Sequence, residues 1–179
     1  ARVVSWIPRW CWHALAFIRP SLAGPSAGLV PSSTVVQLAG ATENATWLVE
    51  ICTQLRHHGY NVIAVIGAPE GGLARQMRAA GVPFRTLPFS FASHLGRMRV
   101  LVYLVRVPIT VLRLAWFLRT EQVAVVHTHI FTSIFIGRLA AWLAGVPCRV
   151  SMVPGPLHLD APLTRWADQR TWWMDHRVI

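Results

Sequence analysis

A chain of 179 residues has room for one α/β domain, at roughly 150 residues per domain, and a composition that is 54% hydrophobic and 13% charged provides a large core and excludes intrinsic disorder. The formal net charge is +10, and all 17 basic residues are arginine, which favours an anionic partner: a phosphate-bearing ligand, a lipid headgroup surface or nucleic acid. The three cysteines, Cys11, Cys52 and Cys148, are far apart in the chain; the spacing and the odd count exclude a zinc motif or a disulfide framework and fit a reducing cytoplasm.

Residues 1–33 differ from the rest. They hold Trp6, Trp10 and Trp12, three arginines and no acid, and they end in the run PSLAGPSAGLVPSS. The apolar patch from Cys11 to Ile18 faintly resembles a signal peptide, but His13 interrupts it and it is too short for a membrane span. The expectation is a poorly ordered, basic, Trp-rich extension or interfacial anchor, followed by a folded domain over 34–179.

That domain opens with TVVQLAG, a strand ending at Gly40. ATENAT is the turn, and Trp47 to His58 is a helix with Leu48, Ile51, Cys52 and Leu55 as its core stripe. Asn44 and Thr46 could cap this helix or meet a ligand, and Asn44-Ala45-Thr46 also matches a glycosylation sequon. Gly40 serves either a tight turn or close backbone approach to a phosphate. His57 and His58 stand at the helix's carboxyl end, stopped by Gly59. Asn61 to Ile66 is the second strand, Leu73 to Ala80 a short helix, and Val82 to Leu87 a third strand. Pro83 and Pro88 bracket this strand and place it toward a sheet edge. Arg75, Arg78 and Arg85 read as solvated.

From Gly71 to Thr120 there are eight arginines and no acid. Within that stretch, Val100 to Val105 and Ile109 to Leu118 are strongly apolar. Arg106, Pro108 and Arg113 would lie in the middle of any membrane span, which argues against one. Two readings remain: a core-facing helix with an arginine-rich outer face, kinked at Pro108, or a helix lying on an anionic membrane surface.

Val123 to Pro147 is the most informative stretch. Val123 to Val126 is a buried strand, with His127, Thr128 and His129 at its C-terminal end. Thr132 or Ser133 caps the next helix, Gly145 ends it and Pro147 follows. Gly137, Ala140, Ala141 and Ala144 give that helix a small-residue face. Cys148 to Val153 is a fifth strand, PGPLHLDAP a loop, Leu163 to Asp175 a helix, and 177–179 the start of another strand. The alternation of strand and helix implies a doubly wound parallel sheet. Ligands of such sheets bind outside the carboxyl ends of strands. His127 and His129 sit at such a place, two apart on one side of an extended chain, although they could equally bond only neighbouring backbone. No third ligand at short spacing supports a metal, and no motif supports nucleic acid.

VVQLAG, LRHHGYNVIAV, GLARQMRAAGVPFRTLPF, VAVVHTHIFTSIFIGRLAAWLAGVPCRV and DHRVI, in this order and spacing, resemble the N-terminal, Rossmann-like half of a GT-B glycosyltransferase of the large retaining group called family 4. The V-V-H-x-H strand and the G-R-L-A-A helix carry the resemblance furthest. It implies a two-domain enzyme that transfers a sugar from a nucleotide-sugar co-substrate to an acceptor hydroxyl. No other cofactor is implied, and the acceptor could be lipid-linked or a carbohydrate. The N-terminal domain would hold the acceptor, and a donor-holding C-terminal domain lies outside this sequence, so the chain alone is expected to be inactive. Gly40, Asn44, His127, His129 and His158 are the candidate binding residues; no catalytic residue is assigned. The turn Gly40-Ala41-Thr42-Glu43-Asn44 departs from the family's paired glycine. Met152-Val153-Pro154-Gly155 stands where many members have T-V-H-G, leaving His158 as the nearest histidine. The expected setting is cytoplasmic, on an anionic membrane surface in the second reading of the arginine-rich helix. The alternatives are a GT-B-type sugar-nucleotide epimerase and a non-catalytic basic membrane-associated module.

Overall fold

The computed structural model describes residues 33–41, 43, 45–88, 98–152 and 162–178. Residues 1–32, Asn44 and His158 therefore lie outside the described residues, and with them the expectations for the N-terminal extension and for two candidate binding residues.

Strands β1 (Thr34–Ala39), β2 (Asn61–Ile66), β3 (Phe84–Thr86), β4 (Val123–His129), β5 (Cys148–Met152) and β6 (Arg177–Val178) alternate with helices. The helices are α1 (Thr46–His57), α2 (Gly72–Ala79), α3 (Met98–Thr120), α4 (Phe131–Ala144) and α5 (Pro162–Thr171), the last followed by a 3-10 turn at Trp172–Met174. The six strands form one sheet in the order β3-β2-β1-β4-β5-β6, and every pairing is parallel. The order reverses between β1 and β4, so the sheet is doubly wound, as the alternation in the sequence predicts.

The two faces have separate cores. On one face Leu48, Cys52 and Leu55 of α1 and Leu73 and Met77 of α2 pack on Val35, Val62, Ala64 and Val125. On the other, Leu114 and Leu118 of α3 and Ile136 and Ala140 of α4 pack on Val36, Leu38, Val65 and Val126. Strand β1 is buried on both faces throughout, which is why it reads as a nearly continuous apolar run rather than an alternating one. The proline-flanked β3 has three residues and lies at the sheet's edge, as expected.

Helix α4 touches the sheet at Gly137. A Cβ there would lie 2.4 Å from Thr128 Cγ2 and 2.5 Å from Leu38 Cδ2, so the small face predicted for this helix is a contact that admits no side chain. Gly145 ends α4 in the left-handed conformation (φ 71°), and the Val146 N–H returns to the Ala141 carbonyl at 2.9 Å.

Three local expectations are corrected. Strand β4 continues through His129 rather than stopping at Val126. The α4 helix begins a turn before the expected cap, because Ile130 turns the chain at φ 70° and no side chain caps the helix; Ser133 lies inside the first turn. The N-cap position of α1 is Ala45, also without a side-chain cap bond. Helix α3 continues on both sides of Pro108, and among the described residues no helix is long and apolar enough to cross a membrane.

Candidate functional site

Parallel pairing sets Gln37 of β1 beside His127 of β4 and Ala39 beside His129. Side chains two apart in a strand share a face, so Gln37, His127 and His129 come together on the α1 side, at the carboxyl ends of the two strands where the sheet order reverses. His129 is fully buried, and its Nε2 lies 2.7 Å from Gln37 Oε1. The indole of Trp47, in the first turn of α1, lies over the His129 ring at 4.8 Å between centroids. The His127 ring is 3.9 Å from that of His129; the residue as a whole is half-buried, and its Nε2 is buried.

Burial lowers the His127 pKa from 6.5 to about 4. Burial, and secondarily the neighbouring His127, lowers that of His129 well below the ordinary value. Both rings are therefore neutral at pH 7, each with one N–H donor and one lone-pair acceptor. If Gln37 Oε1 accepts the His129 Nε2 proton, His129 Nδ1 carries the lone pair. His127 Nε2 and His129 Nδ1 have no hydrogen-bond partner among the described residues. A buried polar atom in that condition is costly unless a ligand or solvent satisfies it.

Gly40 joins the same end of the sheet. Its N–H donates to Ser133 Oγ at 3.2 Å, while the Ser133 hydroxyl turns back to the carbonyls of His129 and Ile130. The first turn of α4 thus clasps the end of β1, and the Gly40 N–H is already engaged. Glu43, in the same loop, accepts the Gly72 N–H at the start of α2 at 2.7 Å, a favourable place for a carboxylate. Among the described residues no three His, Cys, Asp or Glu side chains are grouped to hold a metal. His57, Arg75, Arg78 and Arg85 are exposed. Arg78 donates to the Pro69 carbonyl at 2.6 Å and Arg85 lies 3.7 Å from Glu121, consistent with solvated faces.

Sequence reasoning did not single out Gln37 or Trp47, and it took Ser133 only as a candidate helix cap. Gln37 had a signal, as the one amide in an apolar strand. It also missed a buried network behind the site. Arg138 on α4 is 1% exposed and donates to Asp175 at 2.5 Å and to Asp168 at 2.6 Å. Asp175 accepts from Ser151, whose hydroxyl lies 2.7 Å from that of Thr128, the residue between the two histidines.

The glycosyl transferase 4-like domain matches residues 44–179. The chain belongs to that family. Its fold is the Rossmann-like half of the GT-B architecture, and solved structures agree. MurG of Acinetobacter baumannii superposes with a TM-score of 0.59 at 16% identity, over 82% of this chain and 40% of MurG. Anabaena HepE, solved in complex with UDP and glucose, superposes with a TM-score of 0.60 at 12% identity, over 80% of this chain and 37% of HepE. The domain thus spans about two fifths of these enzymes. No curated protein matches the sequence.

Proposed function

We propose that the chain is the acceptor-side domain of a cytoplasmic glycosyltransferase, which moves a sugar from a nucleotide-sugar donor to an acceptor hydroxyl with the help of a second, donor-holding domain. Family membership supports the reaction class, and the UDP and glucose bound to HepE support a nucleotide-sugar donor. The observation that carries the reading is the neutral histidine pair at the carboxyl ends of the central strands, with two ring nitrogens that have no hydrogen-bond partner among the described residues. Neutral imidazoles suit hydroxyl groups, which both donate and accept, better than they suit a phosphate, which asks for positive charge.

The roles follow from position. His127, half-buried, contacts a hydroxyl of acceptor or transferred sugar. His129, held by Gln37 and covered by Trp47, fixes the orientation of His127. Gly40 lets backbone approach the ligand; its N–H is not free to donate. Asn44 and His158 are proposed to contribute further contacts to the same cleft. The developing charge on the departing diphosphate is stabilised by preorganised donors of the second domain. Closure of the two domains excludes water and sets the reacting groups in line, an effect that can be worth ~7–11 kcal/mol of barrier.

The experiment is glycosyl transfer from a panel of labelled nucleotide sugars. It compares this chain alone with the same chain joined to a donor-holding domain. Transfer by the two-domain protein and none by the single domain is expected. Glycoside formed by residues 1–179 alone, above a heat-inactivated control, would place the chemistry elsewhere.

A further inference from the structure

Trp47 lies off the core stripe of its own helix. Leu48, Cys52 and Leu55 of α1 are buried against the sheet, whereas Thr46 and Trp47 are exposed, and such positions ordinarily carry polar side chains. The Trp47 indole instead leans on the His129 ring, tilted by 59°, and the residue keeps 36% of its surface open. Ile130, the residue after His129, is 37% exposed. Apolar surface therefore meets solvent at the end of the sheet where His127 Nε2 and His129 Nδ1 have no hydrogen-bond partner among the described residues. An exposed apolar residue by itself means little. One seated against unsatisfied buried polar atoms makes a surface that is half apolar and half polar, the character of a small-molecule site.

We propose that Trp47 is a stacking platform for a pyranose ring of the acceptor, so that this side chain selects a carbohydrate. A pyranose has a face of C–H bonds and an edge of hydroxyls. The C–H face, slightly positive, suits the negative face of an indole. The hydroxyls both donate and accept, which is what a neutral imidazole asks of a partner. The two ring nitrogens are closed to bulk solvent, so a ligand held against the indole, rather than bulk water, is placed to supply that partner. A hydrocarbon chain would cover the indole and leave the nitrogens unsatisfied. A phosphate would gain no positive charge from the two neutral rings. The proposal rests on the acceptor-side reading above and adds the class of acceptor and the residue that selects it.

The test is an NMR titration of the isotope-labelled 179-residue chain. The probes are the methyl pyranosides of glucose, N-acetylglucosamine and mannose. Sorbitol serves as an open-chain polyol, uridine as a base, and UDP-glucose as the source of a donor sugar. The Trp47 indole N–H signal is the one missing from Trp47→Ala. At least one methyl pyranoside should shift that signal together with the His127 imidazole signals, and sorbitol should shift neither. Trp47→Ala should weaken the pyranoside on the order of five- to tenfold, and Trp47→Tyr should restore most of the affinity. Affinities are compared on protein shown to be folded by circular dichroism. The proposal is overturned if no methyl pyranoside binds, or if sorbitol binds as well as the pyranosides do. Affinity that is unchanged or raised in Trp47→Ala would make the indole a mere cover of His129. Tighter, Trp47-dependent binding of uridine would give the platform to a base, and a shift produced by UDP-glucose alone would give it to the donor. The acceptor-side reading fails separately: a two-domain protein that transfers sugar while pyranoside binding ignores Trp47 would remove the platform and leave that reading standing.

Discussion

Arg138 and Asp175 stand 37 residues apart in sequence and meet at 2.5 Å, with side chains that are 1% and 2% exposed. The bond ties α4 to the segment after α5. With Asp168, Thr171 and Ser151 it builds a polar seam through an otherwise apolar layer. Burial raises the Asp175 carboxyl above its ordinary range, while the Ser151 bond and the Arg138 charge hold it down. Breaking such a pair from one side leaves a buried charge without its counter-ion. Arg138→Met should therefore destabilise the domain by about 3–5 kcal/mol. Adding Asp175→Asn should recover part of the loss, a coupling that urea unfolding of the double-mutant cycle measures. Additive losses would show that the two side chains do not act as a pair.

Gly137 gives a second test of how closely α4 sits on the sheet. An added methyl would meet Thr128 and Leu38 at distances no carbon pair tolerates, and both neighbours are themselves buried. Gly137→Ala raises helix propensity but must push α4 off β1 and β4. Overpacking of this kind costs about 1–3 kcal/mol. The variant should thus melt several degrees below wild type, at roughly 2–4 °C per kcal/mol for a domain of this size. An unchanged or higher melting temperature would show that the helix–sheet gap has slack.

The layered fold was legible because its signals are local. Apolar runs of strand length, helices stopped by Gly59 and Gly145, and the prolines around β3 each announce an element within a few residues. His127 and His129 were legible for the same reason, as polar residues ending an apolar strand. Their partners were not. Gln37 lies 92 residues before His129, and only the parallel pairing of β1 with β4 brings them together. Arg138 resembled one more arginine of an arginine-rich chain, and its burial depends on α5 folding back. Ser133 was misread as a cap because nothing in the sequence says that Ile130, a β-branched residue, will take a positive φ. In α3 the apolar residues of both faces merge into one run, so the exposed line could not be separated from the core line without the sheet beneath it.

The neutral histidine pair predicts an acid-sensitive domain. In the unfolded chain His127 titrates near its ordinary 6.5, in the folded domain near 4. Between those values the unfolded state binds a proton that the folded state refuses. The contribution is therefore fully present above pH 6.5 and is lost as pH falls toward 4. The loss is on the order of 3 kcal/mol for a shift of this size, and His129 acts in the same sense. Urea midpoints measured down the pH scale should fall through this window, and the fall should be shallower in His127→Leu. Equal slopes for wild type and variant would mean that His127 titrates normally and is not held neutral by burial.

The last prediction separates the two histidines by function. His127 is half-buried, and its Nε2 has no hydrogen-bond partner among the described residues, so in the proposed role its removal deprives a bound hydroxyl of a partner. In the proposed two-domain enzyme His127→Ala should lower kcat/KM for sugar transfer by about tenfold or more, the worth of one or two hydrogen bonds. At neutral pH its stability should change by less than about 1 kcal/mol. His129 is buried whole between Gln37 and Trp47. His129→Ala leaves the Gln37 amide buried without its partner and should cost about 2–3 kcal/mol of stability, together with a loss of transfer caused by misplacement of His127. Gln37→Leu removes the other half of that bond. It should share the second pattern, a lowered rate that returns in part when Gln37→Leu is combined with His129→Leu, since neither half of that bond is then left orphaned. The check is a set of initial rates normalised to the folded fraction from circular dichroism. A His127→Ala enzyme whose activity falls only in proportion to its folded fraction would assign that side chain to the scaffold.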